Sequence, residues 1–119
     1  MTNALKVAED YYLEHRVVDP VTGGEKGQKP EQMSLIPIEA LREVSRVYAY
    51  GAEKYSRDNW RKGYQWHLSY DAFQRHAMLF WSGEDTDLES GLSHLAHAAF
   101  HLLTLMTYVR EGLGTDDRQ

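Results

Sequence analysis

LSHLAHAAFHLLTLMTYVR, residues 92–110, is the stretch on which the fold turns. At about 100° per residue, Leu92, Leu95, Ala96, Ala99, Leu102, Leu103 and Met106 form one broad apolar face of a helix. His94, His97 and His101, spaced i, i+3, i+7, fall almost opposite it, together with Ala98, Leu105 and Tyr108. A solvated helix face carries Lys, Glu or Gln, and none occurs between Ser93 and Val109. Both faces therefore meet something: one packs into the core, and the other lines a site or a subunit contact.

Immediately upstream, GEDTDLES places Glu84, Asp85, Asp87 and Glu89 ahead of the histidines. Carboxylates held close together repel one another unless a cation sits between them. Mg²⁺ or Mn²⁺ would resolve that conflict and leave open positions for phosphate oxygens and water, with His76 and His94 as imidazole partners. The bland alternative is a solvated acidic loop whose Glu89 and Ser90 complement the dipole of the following helix. That alternative explains the carboxylates but not the histidine stripe.

Working outward, Pro37 suits a first helical turn, and IEALREVSRVYAY continues it to about Tyr50, with Gly51 as the stop. Ser69 can cap a helix from Tyr70 to about Ser82 whose buried stripe is Phe73, Ala77, Phe80 and Trp81. Gly112 ends the histidine helix. Residues 3–15 space Leu5, Ala8 and Tyr12 as a short helix would. Residues 16–34, with two prolines and several glycines, read as a loop, and GAEKYSRDNWRKGYQW as an irregular connection. The fold class is all-α: a small bundle of three main helices in one domain over 1–119, with an N-terminal extension over 1–22 and a flexible tail over 113–119. Three helices make a thin core, so the second unsolvated face favours a homo-oligomer, a dimer or higher.

The 119 residues include no cysteine, which excludes disulfides, thiolate zinc sites and thiol catalysis. A net charge of −5 argues against binding long nucleic acid. No run approaches the roughly 20 apolar residues of a membrane span, and no signal pattern opens the chain, so it reads as soluble and cytoplasmic.

Other residues could serve a nucleotide. Lys26 and Lys29 sit in GGEKGQKP, a basic loop that lacks P-loop spacing; it could close over a polyphosphate, but solvated lysines are the favoured reading. Arg75 either pairs with Asp71 one turn earlier or holds a phosphate. Lys54 offers charge, Tyr55 and Trp60 offer stacking surfaces, and Asn59 offers a donor and an acceptor to a base edge, though such aromatics also serve as ordinary packing.

Taken in order, GGEKGQKP, LIPIEALREVSRVYAYGAEKYSRDNW, RKG, RH, GED and DLESGLSHLAHAAFH resemble a phage-associated family of dATP/dGTP diphosphohydrolase-like domains, related in outline to the all-α MazG nucleotide pyrophosphohydrolases. The resemblance spans about residues 23–109. It implies Mg²⁺- or Mn²⁺-assisted hydrolysis of a purine deoxynucleoside triphosphate to the monophosphate and pyrophosphate. It makes Lys54, Asn59 and Trp60 nucleotide-side candidates, and His76, Glu84, Asp87, Glu89, His94 and His97 metal-side candidates. MazG-type enzymes carry ExxE on one helix and ExxD on a later one. This chain has no ExxE, and its one ExxD, Glu84 to Asp87, falls in an expected loop.

The leading expectation is a metal-dependent pyrophosphohydrolase of small-molecule nucleotides. In it Glu84, Asp87 and His94 carry the chemistry, Asp85 joins the metal-side acids, and Lys26, Lys29, Lys54, Tyr55, Asn59, Trp60 and Arg75 hold substrate. Histidines standing where acids are expected motivate a rival, a non-catalytic protein that sequesters a nucleotide. A third reading buries the stripe in the interface of a structural oligomer.

Overall fold

A computed structural model describes residues 14–119 of the chain. The helix expected over residues 3–15 falls outside that description save for Glu14 and His15, and His15 opens a strand. The chain divides into two compact units, one ending at Pro37 and one spanning Ile38–Gln119.

In the first unit β1 (His15–Val18) pairs antiparallel with β2 (Glu25–Gln28), from His15↔Gln28 to Val18↔Glu25. This corrects both the loop expected over 16–34 and the all-α class: the chain is mostly helical with a small two-stranded sheet. The turn is organised by Asp19, whose Oδ1 accepts the backbone N–H groups of Val21 and Thr22, both at 2.8 Å. All four residues of β1 are exposed, so no in–out alternation marks the strand in the sequence.

The second unit holds α1 (Ile38–Lys54), α2 (Trp66–Trp81) and α3 (His94–Glu111), with α3 packed on both others. Gly51 does not stop α1. An interior glycine costs only about 1 kcal/mol, and the helix continues to Lys54. A 3₁₀ turn, Asn59–Lys62, adds order to the expected irregular connection. Helix α2 begins at Trp66 rather than Tyr70, because Ser69 is not its cap: the Ser69 hydroxyl is fully buried and spent on Tyr64 and His101. Helix α3 is bounded nearly as expected. Ser93 Oγ accepts the Ala96 N–H at 3.2 Å, and Gly112 closes the C-terminus in the left-handed conformation.

The orientation of α3 reverses the simplest expectation from its pattern. Its histidine face is the buried one, with His94 at 0% and His97 at 7% exposure, while Leu95, Leu102 and Met106 of the apolar face stand 49%, 44% and 66% exposed. Each inward histidine finds a hydrogen-bond partner on α2 or on the loop before α3, and small Ala98 sits buried among them. The core of this unit is therefore unusually polar: Ser69, His76, His94, His97 and Thr104 are buried beside Val47, Ala96, Ala98 and Tyr108.

Residues 113–119, expected to be a flexible tail, return to the start of α2. Trp66 Nε1 donates to the Leu113 carbonyl at 2.8 Å, Trp66 N–H donates to Thr115 at 3.0 Å, and Asp117 pairs with His67. Gly63 and Gly114 cross so closely that both need positive φ and no side chain. No described helix is long and apolar enough to cross a membrane.

Candidate active site

The loop from Ser82 to Ser93 delivers its acids through a tight internal turn. Asp87 N–H donates to the Leu92 carbonyl at 2.8 Å, Gly91 N–H donates back to the Asp87 carbonyl at 2.7 Å, and the Asp87 carboxylate accepts Ser90 N–H at 2.9 Å. Burial alone would raise the Asp87 pKa, but the Ser90 N–H and hydroxyl with the neighbouring His97 ring outweigh it and hold the carboxyl below its usual value. Asp87 thus stays an anion in a partly buried place.

Around it α2 and α3 assemble three rings. His76 stacks on His97, with centroids 4.5 Å apart and planes 8° from parallel. His76 Nδ1 and His94 Nδ1 lie 2.8 Å apart, His94 Nε2 meets Glu84 Oε2 at 2.5 Å, and His97 Nε2 meets Ser90 Oγ at 2.7 Å. Burial above all, then the adjacent His97, pushes the His76 pKa down to about 4. Burial lowers His97 as well. With His76 neutral, Glu84 accepts from His94 Nε2–H, and a single hydrogen is shared between His76 Nδ1 and His94 Nδ1. Donor atoms of His76, Asp87 and His94 all lie within 4.8 Å of one another, a grouping able to hold a metal ion. The other expected metal-side acids sit elsewhere. Glu84 stands behind His94, exposed Asp85 contributes a carbonyl to His94 N–H at 2.9 Å, and Glu89 is taken by Lys54 Nζ at 2.7 Å and Tyr50 O–H at 2.9 Å. The Lys54 hydrogen bond holds the Glu89 pKa down, and Glu89 in turn raises that of Lys54.

A cavity of about 860 Å³ opens beside these rings, within the usual range of about 300–1,000 Å³ for small-molecule sites. His76, Asp87, Glu89 and His97 line one part of it; Tyr48, Trp60 and Phe100 line another. Tyr48 packs on Phe100 at 4.6 Å and edge-on to Trp60 at 5.9 Å, giving an aromatic wall. Lys54, Tyr55, Asn59 and Arg75 also line the cavity, and Arg75 makes no ion pair with Asp71 among the described residues. Lys26 and Lys29 belong to the hairpin unit, where Lys29 pairs with Glu14 and Lys26 Nζ donates to the Gly27 carbonyl.

Tyr48, Tyr50, Tyr64, Ser69, Ser90 and Phe100 join the site with no sign of it in the sequence pattern, and His101 shows there only as a member of the stripe. The stripe was the available signal for His101. Nothing in the spacing of single serines or tyrosines marks those that a tertiary contact will select.

The chain matches the family model described as dATP/dGTP diphosphohydrolase, N-terminal, over residues 20–118. It is 36% identical over 99 residues to a dATP/dGTP diphosphohydrolase of Salmonella phage PMBT28, covering 83% of this chain and 34% of that protein. The chain thus spans about a third of the length of the curated relative it matches. No solved structure matches it.

Proposed function

This chain belongs to the dATP/dGTP diphosphohydrolase N-terminal family, and on that premise we propose that it hydrolyses purine deoxynucleoside triphosphates to the monophosphate and pyrophosphate with a divalent cation. One observation carries the reading: His76, Asp87 and His94 bring their donor atoms within 4.8 Å of one another, and His76 and Asp87 border a cavity whose other walls are aromatic and cationic. Water oxygen would bond to the α-phosphorus, the bond from that phosphorus to the bridging oxygen would break, pyrophosphate would leave, and the water's protons would pass to solvent.

His76, Asp87 and His94 would hold the cation, with His97 beside them. Their mixed imidazole and carboxylate chemistry suits Mn²⁺ better than Mg²⁺, which prefers oxygen alone. A cation there would supply charge neutralisation at the phosphate oxygens and a lowered pKa for its water. Glu84 would hold His94 through Nε2–H, leaving the His94 Nδ1 lone pair for the cation in place of its hydrogen bond with His76. Lys54 and Arg75 would steady the phosphates, while Tyr55, Asn59 and Trp60 would border the nucleoside. Three helices converging on this cluster support a MazG-like outline, and the exposed Leu95, Leu102 and Met106 support a homo-oligomer joined through α3.

The test is product analysis by anion exchange after incubation with dGTP, dATP, GTP or dCTP, in Mn²⁺, Mg²⁺ or EDTA. Metal-dependent dGMP or dAMP with pyrophosphate is expected from the wild type, and its loss from Asp87→Asn. Retention of nucleotide without turnover would replace the reading with sequestration.

A further inference from the structure

The cavity contains a second polar chain that the phosphates and the cation do not use. Tyr64 OH lies 2.6 Å from Ser69 Oγ, and Ser69 Oγ lies 2.9 Å from His101 Nδ1. Ser69 is fully buried on α2, and its hydroxyl has no task but to join these two groups. A phenol is the stronger donor of the pair, so Tyr64 donates to Ser69 and the serine hydrogen goes to His101 Nδ1. The ring hydrogen of a neutral His101 then sits on Nε2. Burial, with His76 next, keeps the ring neutral by lowering its pKa to about 4. Nε2 has no partner among the described residues and is not among the buried unbonded atoms, so it is open to the cavity that His101 lines. His101 therefore presents one fixed, neutral donor.

Its position fits a base edge. His101 follows His94 by seven residues on α3, about 10 Å along the axis, and its ring lies on the outer side of His76, near-parallel with centroids 6.1 Å apart. Its ring meets Phe100 edge-on at 5.0 Å, and Phe100 continues to Tyr48 and Trp60. A flat aromatic ligand against that wall brings an edge to His101. Adenine and guanine differ at position 6, where one carries a donor and the other an acceptor. They share an acceptor at N7, which pyrimidines lack. A single donor that reads only N7 admits both purines and gains nothing from either pyrimidine.

We propose that His101, locked by Ser69 and Tyr64, is the specificity-determining residue that recognises purine N7. The inference rests on the nucleotide reading above and adds the atom by which the base is chosen. It is tested with substrates lacking that acceptor, 7-deaza-dGTP and 7-deaza-dATP, in the presence of Mn²⁺. In the wild type kcat/KM should fall about tenfold for both analogues, the value of one neutral hydrogen bond. In His101→Phe the ratio of parent to analogue should fall to near one. Ser69→Ala, a smaller change that releases the tautomer, should lower the same ratio if the histidine variant does not fold. Equal turnover of parent and analogue by the wild type overturns the assignment, as does a tenfold ratio that survives in His101→Phe. Absence of both turnover and binding with dGTP and dATP themselves overturns the nucleotide reading, and this inference with it.

Discussion

Acidification should unfold the metal-free protein through its histidines. His76 and His101 each titrate at about 4 rather than 6.5, chiefly because burial disfavours the charged ring. In the unfolded chain these rings take up protons as the pH drops below about 6.5; in the folded protein they do so only near 4. Across that window the unfolded state binds more protons, so stability falls as the pH falls from about 6.5 to about 4. At about 1.4 kcal/mol per pH unit per proton, the fall from 6.5 to about 4 is about 3 kcal/mol for each histidine. Two such contributions rival the whole stability of a small domain, about 5–15 kcal/mol. The assay is urea unfolding in EDTA, followed by tryptophan fluorescence in half-unit steps from pH 7.5 to 4.5. Between pH 6 and 5 the wild type should lose roughly 2 kcal/mol per pH unit, and His101→Phe roughly half that. A slope below about 1 kcal/mol per pH unit, or one unchanged by the substitution, would refute the reasoning.

Two further expectations concern backbone and assembly. A Cβ on Gly114 would stand 2.2 Å from the Tyr64 carbonyl oxygen at a φ of +69°, whereas one on Gly51 meets nothing within 4 Å. Gly114→Ala should therefore cost more than about 2 kcal/mol in urea unfolding, while Gly51→Ala gains about 0.5–1 kcal/mol; similar midpoints for the two would discredit the crossing of the tail over Gly63. Leu102→Glu with Met106→Glu should convert an oligomer to a monomer in sedimentation without changing helicity, and a wild type that sediments as a monomer would sink that assembly.

The periodicity of residues 92–110 disclosed a helix and, with GEDTDLES, the neighbourhood of the candidate site. It did not disclose which face turns inward. Hydropathy ranks leucine above histidine, and only the partners supplied by Ser69, His76, Glu84 and Ser90 reverse that ranking. Ser69 misled for the same reason: a capping serine and a buried network serine are alike in sequence. Among the acids, spacing treated Glu84, Asp85, Asp87 and Glu89 alike. Separating them required knowing that Lys54 and Tyr50, some 35 and 39 residues away in the chain, already occupy Glu89. The hairpin was hidden because its strands are short, exposed throughout save Gly27, and its turn depends on a side-chain oxygen of Asp19.

A domain centred on imidazoles is exposed to evolutionary drift in a particular direction. Replacing inward histidines with leucines would remove buried polar groups that need partners and leave helix α3 apolar on every side, changes that favour compaction. A population selected only for heat resistance or expression would therefore shed these rings first, and would arrive at a sturdier protein without its imidazole cluster.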